Sequence, residues 1–193
     1  MINIILCGPP GCGKGTQAFN ITQKYGLIHI STGDLFRREK KNHSPIWQEV
    51  QSYIDRGELA PDSITFRLLK AEMDKTPEAT GYLFDGFPRN TNQAILLDEF
   101  LSDQQMSVTQ LIEIKVPDQE IVKRILHRGK TSGRSDDQDE SIIQNRINVY
   151  IRETQPVASH YAAKGISSEI DGLGSIDEIF GRLQEVLDTF AAV

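Results

Sequence analysis

The sequence predicts an α/β fold, a five-stranded parallel sheet flanked by helices. Short apolar runs bounded by turn residues alternate along the chain with segments of helical periodicity. This alternation is typical of parallel strands joined by helical crossovers. The apolar runs are nearly continuous, as expected for strands covered by helices on both faces. At 193 residues the chain can bury one sizeable core, so we expect a single domain over 1–193 with small appendages.

Each predicted element has its own signal in the sequence. The runs that we interpret as strands cover residues 2–7, 27–30, 82–84, 111–116 and 168–170. Helix starts are indicated by capping residues or by a proline in the first turn. They fall near Lys14, after Gly33, at Pro45, at Asp62, at Thr91 and at Pro117-Asp118. Apolar residues at helical spacing predict one long helix over 141–163 and a final helix over 175–190.

Two stretches interrupt the regular alternation. Residues 32–60 insert helical material after the second strand, and we interpret 31–60 as a small subdomain. Within it, Trp47 is expected to pack the inserted helices together rather than to stack on a base. The polar stretch GKTSGRSDD at 129–137 predicts a mobile flap between two helices, which we bound at 128–138.

Composition and charge narrow the class of function. A net charge of -6 and a pI near 5.2 argue against nucleic acid as a partner, because nucleic-acid binding depends on a basic surface. No apolar stretch approaches the roughly 20 residues of a membrane-spanning helix. The N-terminal apolar run also lacks a basic leader, so we expect a cytoplasmic protein with no membrane partner. Cys7 and Cys12 fit no zinc or redox spacing, and we expect buried, reduced thiols.

A glycine-rich segment directly follows the first predicted strand. Residues 8–16 read GPPGCGKGT, which contains GxxxxGK and leads into a plausible amphipathic helix. In such a loop, backbone N–H groups surround an anion, a lysine reaches the outer phosphates and the helix N-terminus adds positive potential. In the common form of this motif a Ser or Thr directly follows the lysine, whereas here Gly15 follows Lys14 and the hydroxyl comes at Thr16. This shift narrows the class of P-loop protein that the sequence indicates. The segment predicts a site for a nucleoside triphosphate.

Phosphoryl transfer needs charge neutralisation and positioning more than it needs a proton-transferring side chain. Arginines that flank the expected ligand-side strand ends or the polar flap are therefore candidates: Arg89, Arg124, Arg128, Arg134 and Arg146. The third predicted strand ends in Asp85, opposite the phosphate loop. A carboxylate at that point can hold the water shell of Mg²⁺.

The motifs together resemble the adenylate kinases in their short-lid form. The resemblance rests on GPPGCGKGTQ, on ISTGDLFR at 30–37, on DGFPR at 85–89 with Gln93, and on the segment 124–137. It covers nearly the whole chain. It implies a P-loop nucleotide-kinase fold with an inserted AMP-binding subdomain and a short lid loop. It also implies reversible Mg²⁺-dependent phosphoryl transfer from ATP to AMP, giving two ADP, and we expect a monomer.

The resemblance further implies roles for individual residues. ATP would contact Gly11, Cys12, Gly13, Lys14, Gly15, Thr16, Arg124 and Gly174. AMP would contact Thr32, Arg37, Glu58, Leu59, Ala60, Gly86, Phe87, Pro88, Arg89, Gln93, Arg134 and Arg146. Catalysis would depend on Lys14, Arg89, Arg124, Arg128, Arg134 and Arg146, with Mg²⁺ held through water by Thr16 and Asp85. Asp136 and Asp137 would help to lock the closed state.

Alternatives remain for the acceptor nucleotide, for the class of protein and for the role of Arg146. Uridylate and cytidylate kinases usually have Ala and Asn where this chain has Thr32 and Gln93. Thr32 and Gln93 together suit the edge of adenine, so they predict a strong preference for AMP over CMP or UMP. A P-loop nucleotide switch is the rival from another class, and the DxxG at 171–174 is its only support. The flap is too short for a zinc-bearing lid, so no zinc is expected. An apparent extra residue before Arg146 makes Arg152 the fallback for its role.

Overall fold

The computed structural model describes residues 1–132 and 137–191, and its centre is a five-stranded parallel sheet. The strands are β1 (Ile2–Cys7), β2 (Ile28–Ser31), β3 (Gly81–Asp85), β4 (Gln110–Lys115) and β5 (Ser167–Asp171). Their order across the sheet is β2-β3-β1-β4-β5, and every neighbouring pair is parallel. The predicted α/β class and the five strands are confirmed, with strand ends shifted by about one residue.

Helices connect the strands and cover both faces of the sheet. Those of the first half are α1 (Lys14–Tyr25), α2 (Thr32–Lys41), α3 (Pro45–Asp55), α4 (Asp62–Met73) and α5 (Thr91–Asp103). The second half contains α6 (Asp118–Ser132), α7 (Glu140–Val149), α8 (Gln155–Ala162) and α9 (Ile176–Ala191), and a π-helical turn at Tyr150–Thr154 joins α7 to α8. Among the described residues, no helix combines the length and the apolarity that a membrane span requires.

Consecutive strand residues explain why both faces of the sheet are apolar. Ile5 of β1 packs in a cluster with residues of α4, α5 and α8, whereas its neighbours Ile4 and Leu6 pack in a second cluster with α1 and α9. Side chains alternate across a strand, so a strand covered on both faces must be apolar at every position. The near-continuous hydrophobic runs in the sequence have this physical origin.

The strand register brings several predicted site residues to one edge of the sheet. Leu6 of β1 pairs with Asp85 of β3, and Ser31 of β2 pairs with the same aspartate. In a parallel sheet the carboxyl ends of the strands lie together, and connecting loops there form the ligand site. The phosphate loop after β1, the start of α2 and Asp85 therefore lie side by side.

The inserted helices form a small separate cluster. Trp47 is 8% exposed and packs with Val50 and Ala60, with Phe36 of α2 against them. The Ser44 hydroxyl accepts a hydrogen bond from the Trp47 N–H at 3.1 Å and so caps α3. The packing role predicted for Trp47 is confirmed.

One predicted boundary was wrong, and one predicted helix is irregular in its middle. The polar stretch 129–137 begins as helix, because α6 continues to Ser132. Polarity alone does not end a helix, and Lys130 in the last turn suits the negative end of the helix dipole. The long helix over 141–163 is interrupted by the π-helical turn, since Pro156 has no N–H to donate to the carbonyl of Arg152.

Candidate active site

A cavity of about 850 Å³ opens at the carboxyl edge of the sheet, at the upper end of the range for small-molecule sites. Its walls come from the phosphate loop, the inserted helices, the segment after β3 and the facing sides of α6 and α7. Among the described residues that line it are seven lysines and arginines but four carboxylates. The protein as a whole has a net charge of -6, so the cavity gathers positive charge on an acidic molecule.

The phosphate loop has the geometry that its glycines predict. Gly13, with φ of 99°, lies in the left-handed region and directly precedes α1, so the chain turns sharply into the helix. The ammonium of Lys14 donates to the carbonyl oxygens of Gly8 and Pro9, the latter at 3.0 Å. It also lies 3.4 Å from the Sγ of Cys12. The lysine therefore folds over its own loop, at the place where phosphates would enter.

Asp85 at the end of β3 is ionised at neutral pH. Burial alone would raise its pKa, but His29, Lys14 and Arg89 together hold the pKa of this carboxyl below its usual range. The Nε2 of His29 lies 3.5 Å from Oδ2 of Asp85. A carboxylate beside the phosphate loop is the kind of hard oxygen donor that Mg²⁺ prefers.

Arg89 lies in the cleft beside Asp85 and is held by its own loop. Its Nε donates to the carbonyl of Gly86 at 2.8 Å, and its own carbonyl accepts from the Thr154 hydroxyl at 2.8 Å. Partial desolvation in the cleft lowers the pKa of Arg89, and like-charge repulsion from Arg146 lowers it further, although the residue as a whole is exposed. Its position suits a group that meets a phosphate.

Gly86 makes the close approach of Thr32 and Arg89 possible. Its φ is 77°, and a Cβ at this position would lie 2.8 Å from Oγ1 of Thr32 and 2.9 Å from Nη2 of Arg89. The Thr32 hydroxyl donates to the Gly86 carbonyl at 2.7 Å. A side chain here would have to adopt a left-handed backbone and would displace Thr32 and Arg89, so the position strongly favours glycine.

The ends of the flap are joined by one buried carboxylate. Arg128 of α6 donates from Nε to Oδ2 of Asp137 at 2.6 Å and from Nη2 to Oδ1 at 2.9 Å. Arg146 of α7 donates from Nη1 to the same Oδ1 at 2.8 Å. Burial alone would raise the pKa of Asp137, but the two arginines lower it below its usual range. Asp137 thus links α6 to α7 where both face the cavity.

Most predicted site residues line this single cavity. They are Gly11, Gly13, Lys14, Gly15, Thr16, Thr32, Arg37, Glu58, Leu59, Ala60, Asp85, Gly86, Pro88, Arg89, Gln93, Arg124, Arg128 and Arg146. The helical register directs Arg146 to the cavity, whereas the fallback Arg152 is 66% exposed and pairs with Glu153. Arg134 and Asp136 lie outside the described residues.

Of the predicted contact residues that the structure describes, three do not line the cavity. Cys12 and Phe87 are each 1% exposed and pack in the core, so only their backbone groups remain available to a ligand. Gly174 lies in the loop between β5 and α9, outside the lining. Arg124 approaches this loop by donating from Nη1 to the Gly172 carbonyl at 3.1 Å. The thiols of Cys7 and Cys12 are free and buried, as predicted, and burial raises the pKa of Cys7 to about 12.

Sequence reasoning missed residues that support the site from behind. Thr154 fixes the Arg89 backbone, and the Tyr150 hydroxyl donates to Glu113, a carboxylate on β4 that is 1% exposed. Asp62 accepts from the amide of Gln93 at 2.7 Å. A charged residue inside an apolar strand was the one available signal for Glu113.

Replacing Asp137 with asparagine should lower the free energy of unfolding by about 2 kcal/mol at pH 7. Fully buried pairs lose more, but both arginines here retain solvent contact. The pKa of Asp137 is depressed in the folded state, so its stabilisation is present above the unfolded value near 3.9 and is lost as pH falls through the folded value. Urea unfolding of both proteins checks this.

The difference between the two proteins should stay constant from pH 7 to about 5 and shrink below about 4. Asp103→Asn, at an exposed carboxylate near the end of α5, is the matched control and should match the unmodified protein. An Asp137→Asn variant as stable as the control at pH 7 would contradict the role of this carboxylate.

The fold and the cavity define a class of protein. A parallel sheet in which a glycine-rich loop joins β1 to α1, with a lysine at the loop's end and arginines facing it, is that of a P-loop nucleotide-binding protein. Comparison with known proteins narrows the class. The family profile described as "Adenylate kinase" matches residues 6–166. The chain belongs to the adenylate kinase family.

Known adenylate kinases are similar to this chain over almost its full length. An adenylate kinase of Flavobacterium psychrophilum is 46% identical over 188 residues, covering 97% of this chain and 99% of its own. One from Flavobacterium johnsoniae is 45% identical with the same coverage. One from Parabacteroides distasonis is 42% identical, covering 97% of this chain and 98% of its own.

Proposed function

We propose that this protein catalyses reversible phosphoryl transfer from ATP to AMP, giving two ADP. The proposal rests on one observation. Lys14 of the phosphate loop and Arg89 after β3 line the same cavity, which has an excess of positively charged side chains. Two nucleotides repel each other through their phosphates, so bringing them together requires such a cleft. Membership of the adenylate kinase family supports the same reaction.

ATP is the donor, and its phosphates enter the loop formed by residues 11–16. Backbone N–H groups and the N-terminus of α1 would bind the phosphate oxygens. Lys14 would exchange the carbonyls of Gly8 and Pro9 for phosphate oxygens, which make stronger, charge-assisted partners. The oxygen donors of Thr16 and the ionised Asp85 suit Mg²⁺ held through water. Mg²⁺, arriving as part of the ATP substrate, would supply neutralisation of phosphate charge.

AMP is the acceptor, and it occupies the side of the cavity formed by the insertion at 31–60. Arg37 and Arg89 would bind its phosphate, since a guanidinium matches phosphate oxygens with two parallel hydrogen bonds. Thr32, the segment 58–60, the segment 86–88 and Gln93 would surround the base. A glutamine amide offers the donor and acceptor pair that the edge of adenine requires.

The transfer proceeds in line between the two phosphates. Arg124, Arg128, Arg134 and Arg146 would neutralise charge as it develops on the transferred group. Water must be excluded, or ATP would be hydrolysed. By analogy with lid closure in adenylate kinases, the insertion and the flap at 128–138 would close over both nucleotides. Asp137 would then hold the flap by its bonds to Arg128 and Arg146.

A coupled assay of ATP consumption tests the proposal. ATP should be consumed only when AMP is added, and ADP should form in a ratio of two per ATP. AMP should be preferred strongly over CMP and UMP because of Thr32 and Gln93. Slow loss of ATP that is indifferent to AMP would instead favour a nucleotide switch, and comparable use of all three acceptors would refute the assignment of AMP.

We further propose a monomer in the cytoplasm, with ATP, AMP and ADP as its small-molecule partners. The two free and buried thiols support this location. Sedimentation of the purified protein at several concentrations tests the oligomeric state.

A further inference from the structure

The amide of Gln93 is held at both of its polar ends. Its Oε1 accepts a hydrogen bond from the backbone N–H of Arg89 at 2.7 Å. Its Nε2 donates to Oδ1 of Asp62 at 2.7 Å. The residue is 1% exposed yet belongs to the lining of the cavity, whereas Asp62 lies behind it, outside the lining.

These partners permit one orientation of the amide. A backbone N–H can only donate, so the atom that faces Arg89 N must be the carbonyl oxygen. An ionised carboxylate can only accept, so the atom that faces Asp62 must be the NH₂ group. The reversed amide would set a donor against a donor and an oxygen against a carboxylate.

Asp62 is itself held in place. It is the first residue of α4, and its Oδ1 also accepts from Nδ2 of Asn90 at 2.9 Å. The other end of that side chain, Oδ1 of Asn90, accepts from the backbone N–H of Gln93 and caps α5. The start of α4 and the start of α5 are therefore joined by one network around Gln93.

The network leaves half of the amide's capacity available. An amide has two N–H donors and two acceptor lone pairs, and the contacts to Asp62 and Arg89 use one of each. The remaining N–H matches the N1 acceptor of adenine, and the remaining lone pair matches its N6 amino group. Hypoxanthine, the base of IMP, has an N–H at N1 and a carbonyl oxygen at C6. Its pattern of hydrogen-bond donor and acceptor is therefore the reverse of that of adenine, although the two bases are almost equal in size.

We propose that Asp62 is a specificity-determining positioning residue, which fixes the orientation of the Gln93 amide so that the acceptor site accepts AMP and rejects IMP. The proposal rests on the assignment of AMP as the acceptor nucleotide under the proposed function. Asp62 acts through Gln93 and does not touch the base. It excludes the reversed edge because a flipped amide would lose its bonds to Asp62 and Arg89.

The test compares kcat/KM for AMP and for IMP in the intact protein. Asp62→Ala should lower the ratio of the AMP value to the IMP value about tenfold, the effect of one lost hydrogen bond to a charged acceptor. Asp62→Asn keeps an acceptor oxygen that Asn90 holds toward Gln93, and should keep the ratio within about threefold of the unmodified protein. The KM for ATP should not change in either variant.

A matched control separates orientation from helix stability. Asp118 is the first residue of α6 and follows Pro117, as Asp62 follows Pro61 at the start of α4, but its side chain is exposed. Asp118→Ala removes the same favourable charge from a helix N-terminus and should leave the ratio unchanged. If Asp62→Ala folds poorly, Asp62→Ser replaces it in the test, because serine suits a helix start. Asp62→Ser should lower the ratio of kcat/KM for AMP to that for IMP by a similar factor.

A double-mutant cycle shows whether Asp62 acts through Gln93. Gln93→Ala alone should reduce the ratio, and adding Asp62→Ala should cause no further reduction. Independent effects in the cycle would overturn the inference, as would equal losses for AMP and IMP in both Asp62→Ala and Asp62→Ser. If the unmodified protein does not use AMP at all, the proposed function fails first, and that result is distinct from a preference for AMP that ignores Asp62.

Discussion

Replacing Arg89 with alanine should lower kcat by about 10³-fold, in line with arginines that stabilise phosphoryl transfer elsewhere. Arg89 lines the cleft within electrostatic reach of Asp85 and Arg146, and its loop is fixed by Gly86 and Thr154. A guanidinium held in this way is preorganised to meet charge as it develops on the transferred group. Steady-state kinetics with saturating ATP and AMP measure the effect.

The matched control for this prediction is Arg67→Ala. Arg67 is an exposed arginine of α4 that does not line the cavity, and its loss should leave kcat unchanged. Thermal unfolding of both variants should stay close to that of the unmodified protein. A decrease in kcat of less than tenfold in a folded Arg89→Ala protein would mean that another group performs this role.

Replacing Lys14 with alanine should lower kcat/KM for ATP by about 10³-fold as well. The Lys14 ammonium lies at the start of α1 and already bonds to the carbonyls of the phosphate loop. No other group of the loop carries a positive charge that can follow the phosphate between donor and acceptor. Measuring AMP binding by calorimetry in the same variant should give a nearly unchanged Kd, since the proposed AMP site lies on the other side of the cavity.

Lys24→Ala is the control on the same helix. Lys24 lies in the last turn of α1, at the far end from the loop, and pairs with Asp188 at 3.2 Å on the surface. Exposed pairs of this kind contribute little, so activity should be retained. A Lys14→Ala protein that loses AMP affinity as strongly as it loses ATP affinity would show that the substitution collapses the whole cleft rather than removing one phosphate contact.

The parts of the site that were predictable depend on short-range patterns. The strand, loop and helix over residues 2–25 are contiguous in sequence, and each has a local signal that the structure confirms. The inward direction of Arg146 follows from helical periodicity within α7. Asp85 was predictable because it ends an apolar strand at the edge where parallel strands meet their ligands.

The parts that were not predictable depend on contacts between distant segments. Asp62 and Gln93 are 31 positions apart, and their hydrogen bond exists only because the starts of α4 and α5 lie together. Thr154 reaches the Arg89 carbonyl across 65 positions, from a π-helical turn that departs from regular helix. Periodicity arguments assume a regular helix, so they cannot place the side chains of such a turn.

The proposed reaction requires that two nucleotides occupy one positively charged cleft with their phosphates facing each other. The most direct test of this requirement is a calorimetric titration with a bisubstrate analogue, a single molecule in which five phosphates join two adenosines. We predict that one equivalent binds much more tightly than ATP or AMP alone. The bound compound should prevent both ATP and AMP from binding. Binding of two equivalents, or an affinity no higher than that of ATP, would contradict the account.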